Sequence, residues 1–363
     1  MKTRYLALCF GGLWALVGCT RAVSTGGGNP STPAPAPQPT RVWPVLTRSH
    51  VDLWLHGYAM LLRDSAKVPV FRRGYRERIQ SVKAQRNITT LLDANRERLQ
   101  ARLTLNPAIA NGQFAPLYFR DFAQMQEVIG LFLQVQGNVA ATNDPALRQY
   151  FAVLASSYAA AADREWLRIF AESLEDERRR FYQEYWTAEH GARLAVVRET
   201  DSLWQANYRL KLQRFLNNTQ QENGEMVLAL TLGGEGRTVN FSSRQNAVAV
   251  TMPDQDYREA IYVFAHEVVS SIVTTAVNDN TTPNDQRAGI ASAHITTGTV
   301  RAGAMLLQRA APELAAGYTR YYLTQAGVST SGDINARLAA TFPLPEAVRA
   351  AIDRQLEVVL GGI

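Results

Sequence analysis

The stretch Asp254-Gln-Asp-Tyr-Arg-Glu-Ala-Ile-Tyr-Val-Phe-Ala-His266-Glu267-Val-Val-Ser270-Ser271 decides how the rest of this 363-residue sequence is interpreted. It is an apolar segment with helical periodicity, and it carries a histidine–glutamate pair near its centre. Asp254 stands where a helix N-cap is expected, directly after a proline. The pattern predicts a buried helix that continues to about Asn278.

Three short segments before this helix predict a small antiparallel sheet over about residues 225–251. Each segment is rich in apolar and β-branched residues, and they cover residues 226–232, 237–241 and 247–251. The glycine-rich residues 233–236 are expected to turn the first pair of strands, and residues 242–246 the second.

Helical periodicity dominates on both sides of the sheet. Before it, helices are expected over residues 50–62, 79–103 and 116–136, and Asp144 with Pro145 is expected to start another. After it, helices are expected over residues 286–310, 312–326 and 343–360. The predicted class is therefore α+β and predominantly helical, with a helical region over 42–222 and an α+β region over 223–363. These two regions can form one body.

The pair His266 and Glu267 matches the first two positions of the zinc-peptidase pattern His-Glu-x-x-His. In that pattern, two histidines four residues apart bind one metal from one helical face, and the glutamate activates the metal-bound water. Ser270 stands in the place of the second histidine, and a serine hydroxyl is a poor zinc ligand at neutral pH.

This arrangement of sheet and helix resembles the gluzincin group of metallopeptidases, also called peptidase-MA-like. In that group a second helix carries the third ligand in a Glu-Gly-(Ile/Leu)-Ala pattern. Here Ala288-Gly289-Ile290-Ala291 stands at the corresponding distance, with Ala288 in the ligand position. The resemblance covers about residues 225–310. It implies a metal-ligand position at His266, a general-base position at Glu267, and lost ligands at Ser270 and Ala288.

Three interpretations stay open. In the first, the body is an inactive metallopeptidase-like protein without a metal, which binds or scaffolds through a cleft beside strand 247–251. In the second, it is a zinc-dependent peptidase with a non-standard ligand set, in which His294 and Asp279 or Asp285 join His266. In the third, the protein is an unrelated helical lipoprotein without a catalytic site, and the pair His266 and Glu267 is a chance match.

The amino terminus predicts a cleaved export signal. Lys2 and Arg4 precede an apolar segment that is too short to span a bilayer. The segment ends in Leu16-Val17-Gly18-Cys19, which resembles a bacterial lipobox. The resemblance implies a signal peptide over 1–18 and acyl chains on Cys19, because in such proteins the cut precedes the cysteine. Two or more acyl chains give durable membrane anchoring. Thr20, where inner-membrane retention favours aspartate, indicates the outer membrane.

Residues 19–41 are rich in glycine and proline and are expected to form a tether. Cys9 and Cys19 are the two cysteines, so the region after the tether can hold no disulfide and no cysteine nucleophile. The net charge of +6 is spread along the chain, which does not favour nucleic acid as a partner. The expected partners are the membrane, through the acyl chains, and an unknown envelope protein or peptide. No cofactor is expected, except zinc in the peptidase interpretation.

Two smaller patterns complete the analysis. His50 and His56 share one predicted helix but lie six residues apart, so the two side chains cannot bind one metal alone, and core or capping roles are favoured. The pattern of the arginine-rich residues 72–78 is typical of a solvated helix face. The alternative interpretation is contact with anionic lipid headgroups.

Overall fold

Four short strands form one mixed sheet in the computed structural model, which describes residues 42–62, 66–242 and 245–361. The strands are β1 (Val45–Thr47), β2 (Asn223–Ala229), β3 (Arg237–Ser242) and β4 (Gln245–Thr251). Their order across the sheet is β1-β2-β4-β3. β1 pairs with β2 and β2 pairs with β4 in parallel, whereas β3 is antiparallel to β4. Cys19, the signal peptide and the tether lie outside the described residues.

The predicted class, α+β and predominantly helical, is confirmed, but the small sheet is mixed rather than antiparallel. Residues 233–236 do not close a hairpin, because β4 lies between β2 and β3. The backbone N–H groups of Gly233 and Gly234 instead donate to the carbonyls of Val70 and Pro69, at 2.7 and 3.0 Å. These bonds hold residues 233–236 against Pro69 and Val70, which are far away in sequence. The segment therefore does not fold back into a hairpin.

Helices make up most of the remaining described chain. Those before β2 are α1 (Ser49–Leu61), α2 (Tyr75–Gln85), α3 (Leu91–Ala94), α4 (Arg96–Leu105), α5 (Phe122–Gln134), α6 (Pro145–Ser157), α7 (Ala161–Glu177), α8 (Gln183–Ala192), α9 (Leu194–Leu203) and α10 (Arg209–Asn218). Those after β4 are α11 (Arg258–Val268), α12 (Ser270–Asp279), α13 (Pro283–Arg287), α14 (Ile290–Ala310), α15 (Pro312–Gln325), α16 (Ile334–Thr341) and α17 (Glu346–Gly361). A 3₁₀ segment, Pro107–Tyr118, precedes α5, and wide π-type turns at Arg178–Tyr182 and Trp204–Tyr208 join α7 to α8 and α9 to α10.

Local signals account for some of these boundaries. Asp144 caps α6 as predicted, because its carboxylate accepts from the N–H groups of Ala146 and Leu147 at 2.8 and 3.3 Å. The prediction of a single helix over 79–103 is wrong. This segment is divided into α2, α3 and α4, since Asn87 takes a positive φ of 52° and Thr90 forms a capping box with Asp93.

The helix expected to begin at Asp254 begins at Arg258 instead. The side chain of Asp254 forms an ion pair with Arg72 at 2.6 Å and does not cap the helix. An irregular residue, Val269, separates α11 from α12. Together they are long and apolar enough to cross a membrane by length and composition, but 78% of this window is buried inside the protein. α11 and α12 therefore form the core helix of the body.

The sheet is buried on both faces, which explains its nearly continuous apolar strands. Residues that alternate along β2 and β4 enter different hydrophobic clusters. The first cluster packs against α10, α11 and the helices after it, and its residues from the middle of β2 and β4 are Met226, Leu228, Val248 and Val250. The second packs against helices α1 to α8, and its sheet residues are Val227, Ala229, Ala247 and Ala249. The sheet is thus shared by the two hydrophobic clusters.

Candidate functional site

His266 and Glu267 form a buried hydrogen-bonded pair near the end of α11. The His266 Nδ1 and Glu267 Oε1 atoms lie 2.7 Å apart, and each residue is 5% exposed. The same Glu267 oxygen accepts a second hydrogen bond from the backbone N–H of Gly236, at 2.9 Å. One oxygen of the predicted general base therefore already has two partners within the protein.

The pKa of Glu267 lies below its ordinary value. Burial by itself raises this pKa, but the hydrogen bond and charge of His266, the charge of Arg237 and the Gly236 N–H outweigh it. These groups hold Glu267 as a carboxylate that is fixed between α11 and the start of β3.

A tyrosine and a glycine complete the surroundings of the pair. The imidazole of His266 stacks on the ring of Tyr322, with centroids 5.2 Å apart and an angle of 18° between the planes. The Tyr322 hydroxyl donates to the carbonyl of Gly234 at 3.0 Å. A Cβ atom at Gly236 would lie 2.0 Å from the carbonyl oxygen of Ala249, so only glycine permits this approach of β3 to β4.

Ser270, at the position of the lost second histidine, is half-buried in a groove of about 320 Å³ between β3 and the junction of α11 with α12. Apart from Val268, the lining consists of uncharged polar side chains: Thr219, Gln220, Gln221, Thr238, Asn240, Ser270 and Ser271. Gln220 is held at a positive φ of 59°, a region that residues other than glycine rarely adopt. The groove can therefore offer hydrogen bonds but no formal charge.

Two buried oxygen atoms of this lining have no hydrogen-bond partner among the described residues, Gln221 Oε1 and Thr238 Oγ1. Gln221 is 7% exposed, and its amide nitrogen donates to the Val268 carbonyl at 3.0 Å and to Thr219 Oγ1 at 2.9 Å. Since buried polar atoms nearly always have partners in folded proteins, these two oxygens are exceptions in the lining of the groove. Sequence reasoning missed both residues.

The remaining predicted ligand positions are not brought to this groove. Ala288 is exposed at the end of α13, next to Gly289 with a positive φ of 75°, so the helix expected over 286–310 is interrupted there. His294 is half-buried on α14, and Asp285 accepts from the N–H and hydroxyl of Thr282 at 2.9 and 2.7 Å. Within the described ranges, no three His, Cys, Asp or Glu side chains form a group that could hold a metal ion.

The cleft expected beside strand 247–251 takes a different form. β4 has a paired strand on each side, so it offers no free edge, and β3 is the edge strand instead. The groove at Ser270 lies beside β3. A second and larger cleft, of about 840 Å³, opens near the other end of α11, where Thr251 ends β4.

A buried charged cluster in the helical region was not predicted. His56 is fully buried, with its Nδ1 atom 2.9 Å from the Tyr75 hydroxyl and its Nε2 atom 3.0 Å from Glu177 Oε1. Lys83 Nζ donates to the same carboxylate at 2.9 Å. The core role predicted for His56 is confirmed, but its partner lies 121 residues away in sequence, where no local pattern indicates it.

No protein-family model, no curated protein and no solved structure matches this chain. The resemblances to gluzincins and to bacterial lipoproteins therefore stay predictions from the residues quoted above.

Proposed function

We propose that this chain is a lipid-anchored binding protein of the bacterial cell envelope, with an inactive metallopeptidase-like body that binds extended peptides. The binding site is the groove between β3 and Ser270. One observation carries the proposal: Gln221 Oε1 and Thr238 Oγ1 are buried in this groove without partners among the described residues. Both side chains line the groove, so a small rotation of either one would present its oxygen to a ligand N–H as an acceptor.

The shape of the groove favours a peptide main chain. β3 stands at the end of the strand order, and no described strand pairs with its outer edge. An extended peptide adds to such an edge through alternating N–H and C=O groups, and neighbouring pockets receive its side chains. Because the groove lining carries no charge, it suits the neutral main chain better than charged side chains.

The surroundings of Glu267 support binding without hydrolysis. A general base needs a free lone pair directed at the water that it activates. Here one carboxylate oxygen accepts from both His266 and Gly236, and a serine stands in place of the second histidine.

The test uses fluorescein-labelled neutral peptides of eight residues, rich in threonine and valine, with fluorescence anisotropy as the measurement. Binding by strand addition predicts that N-methylation of alternate peptide residues weakens binding at least about tenfold, because it removes main-chain donors. Filling the groove with Ser270→Tyr is expected to have an effect of the same size.

The matched control is Ser292→Tyr on α14, which places the same side chain at an exposed position outside the groove. This variant should bind as the unchanged protein does. Equal affinity of N-methylated and unmodified peptides, or equal binding by Ser270→Tyr, would refute the groove as a peptide site.

Metal analysis separates this proposal from the zinc-peptidase interpretation. The purified full chain is expected to contain no stoichiometric zinc. Stoichiometric zinc that disappears in His266→Ala would favour the peptidase instead. The anchor is tested separately, since Cys19→Ala should abolish labelling with an alkyne-bearing palmitate in cells.

A further inference from the structure

A cleft lined by arginines is distinct from the peptide groove. Its volume is about 840 Å³, and it lies between the start of α2, the start of α11 and one side of α15. This volume falls within the range of sites that bind small organic molecules. Five arginines line it: Arg72, Arg73, Arg78, Arg258 and Arg320.

The carboxylates of the cleft are mostly neutralised by partners of their own. Asp254 pairs with Arg72 at 2.6 Å, and Asp256 pairs with Arg258 at 2.8 Å. Glu313 pairs with Lys211, which does not line the cleft. The pKa of the remaining carboxyl group, Glu259, is raised, first because of burial and also because of its acidic neighbours, although Arg72 opposes the shift. Even as a carboxylate, Glu259 is outnumbered by the other three arginines of the lining.

Three arginines of the cleft form no ion pair with a carboxylate in the described parts of the chain. Arg73 donates to the carbonyls of Ala66 and Gln325, at 3.2 and 2.9 Å. Arg78 donates to the hydroxyl of Tyr185 at 2.9 Å. Arg320, on α15, donates no side-chain hydrogen bond to any described residue. The cleft thus carries positive charge that an anionic ligand would balance.

Tyr262 adds an uncharged hydrogen-bond donor to the cleft. It lines the cleft, and its side chain is buried, with the residue only 3% exposed. Its hydroxyl has no hydrogen-bond partner among the residues that the structure describes. A Cβ atom at Gly317 would lie 2.0 Å from this hydroxyl, so the glycine makes room for it. Because this hydroxyl is not among the buried atoms without a partner, it is open to the cleft, where a ligand oxygen would accept its hydrogen bond.

We infer that this cleft binds a small organic anion that carries phosphate groups, with Arg73, Arg78 and Arg320 as its charge partners and Tyr262 as a neutral donor. A guanidinium group presents two parallel N–H donors, a geometry that matches the oxygens of a phosphate group. The shared chemistry is a phosphate ester, which a soluble metabolite or a lipid headgroup would supply. The inference does not depend on the peptide groove, because that groove lies at the other end of α11.

The experiment is isothermal titration calorimetry on the full chain in neutral detergent micelles. The soluble probe is inorganic pyrophosphate, and the headgroup probe is dihexanoyl phosphatidylglycerol. Either probe is expected to bind with a Kd below about 1 mM. Replacing both Arg78 and Arg320 by glutamine should weaken binding at least about tenfold, since charge-assisted hydrogen bonds are lost. Tyr262→Phe should weaken it about threefold to tenfold.

The matched control is the pair Arg198→Gln and Arg354→Gln, which removes the same charge from two exposed arginines outside the cleft. The control should keep the affinity of the unchanged protein within about twofold. If the protein binds pyrophosphate and the Arg78 and Arg320 double variant does not, the ligand is a soluble phosphate compound. If the protein binds only the lipid probe, and the double variant does not bind it, the ligand is a lipid headgroup. No binding of either probe, or an equal loss in the control, would overturn the inference. Circular dichroism confirms that each variant is folded.

Discussion

Asp52 is a buried carboxyl group on α1 that holds the end of β2. One of its oxygens accepts from Trp186 Nε1 at 2.9 Å, and the other from the Leu230 N–H at 2.7 Å. Burial raises its pKa from an ordinary value of 3.8 to about 7, although both hydrogen bonds and Arg72 oppose the shift. Between these two pH values the folded protein retains a proton on Asp52 that the unfolded chain has released. The contribution of this group to stability therefore falls as the pH rises.

This sign gives a measurable pH dependence. From pH 4 to pH 7, the shifted pKa of Asp52 should reduce the free energy of unfolding by about 3 kcal/mol, given about 1.4 kcal/mol for each pKa unit. Asp52→Asn cannot titrate, so its stability should fall less over this range. Urea unfolding at pH 4.5, 5.5, 6.5 and 7.5 measures both proteins. Parallel pH curves for the two proteins would show that Asp52 does not carry the effect.

Glu177 shows the opposite behaviour in the neighbouring helices. Its side chain is fully buried, and burial by itself would raise its pKa. The hydrogen bonds and charges of His56 and Lys83, with the Thr90 hydroxyl, outweigh burial and lower the pKa to about 2. The ionised carboxylate thus stabilises the fold above its ordinary pKa of 4.5, and this contribution is lost as the pH falls toward 2.

Glu177→Gln is expected to lower the free energy of unfolding by about 3 to 5 kcal/mol, because Lys83 stays buried without its full charge partner. Adding Lys83→Met to this variant should recover part of the loss, since the unpaired ammonium group is removed. Glu184→Gln is the control, as its side chain is 82% exposed and pairs only with Arg86 at the surface. A double variant that is less stable than Glu177→Gln alone would contradict this account.

At the scale of elements, Gly236 sets the distance of β3 from both β4 and α11. Gly236→Ala places a Cβ atom 2.0 Å from the Ala249 carbonyl and 3.2 Å from Glu267 Cγ, so β3 must move. We expect a loss of about 1 to 3 kcal/mol in the free energy of unfolding. Peptide binding should weaken as well, because Thr238 follows on the displaced strand.

The control for this prediction is another glycine. Gly130 is exposed on α5 and has no atom within 4 Å of the added Cβ, so Gly130→Ala should raise the free energy of unfolding by about 0.5 to 1 kcal/mol. Thermal unfolding followed by circular dichroism measures both changes. An unchanged melting temperature for Gly236→Ala would mean that β3 is not held as the structure indicates.

Elements with local signals could be predicted from the sequence, and those that depend on distant partners could not. Asp144 and Pro145 indicate the start of α6 by themselves. β1 is three residues long and pairs with residues 226–228, so no periodicity indicates it. The glycine-rich residues 233–236 have a sequence that is also typical of a hairpin turn. The position of β4 between β2 and β3, together with the bonds from Gly233 and Gly234 to Val70 and Pro69, excludes one.

In the candidate site, too, the sequence could predict some features and not others. The positions of His266, Glu267 and Ser270 along one helical segment follow from their spacing, and Ser270 does line a groove. The unpaired oxygens of Gln221 and Thr238 depend on what surrounds each atom, which a linear pattern does not contain. The placement of Ala288 was missed because Gly289, with its positive φ, separates α13 from α14 and leaves Ala288 exposed at the end of α13.

At the scale of the whole molecule, the shared sheet predicts cooperative unfolding. Val248 and Val227 are both fully buried, but their side chains belong to hydrophobic clusters on opposite faces of the sheet. Loss of either cluster exposes one face of the same four strands, and the other cluster then loses its support. All described residues from 42 onwards accordingly belong to one compact unit. We expect a single unfolding transition for the whole body.

The test compares Val248→Ala with Val227→Ala. Each should lower the free energy of unfolding by about 2 kcal/mol, since each leaves a cavity in a packed core. Each should also shift one common transition, seen equally by far-UV circular dichroism and by tryptophan fluorescence. Trp43 and Trp204 report on the first cluster, and Trp54 and Trp166 on the second. If Val227→Ala instead separated an early transition of the helical region from a later one, the sheet would not couple the two halves. Helices α1 to α8 would then be an independently folding domain attached to the rest of the body.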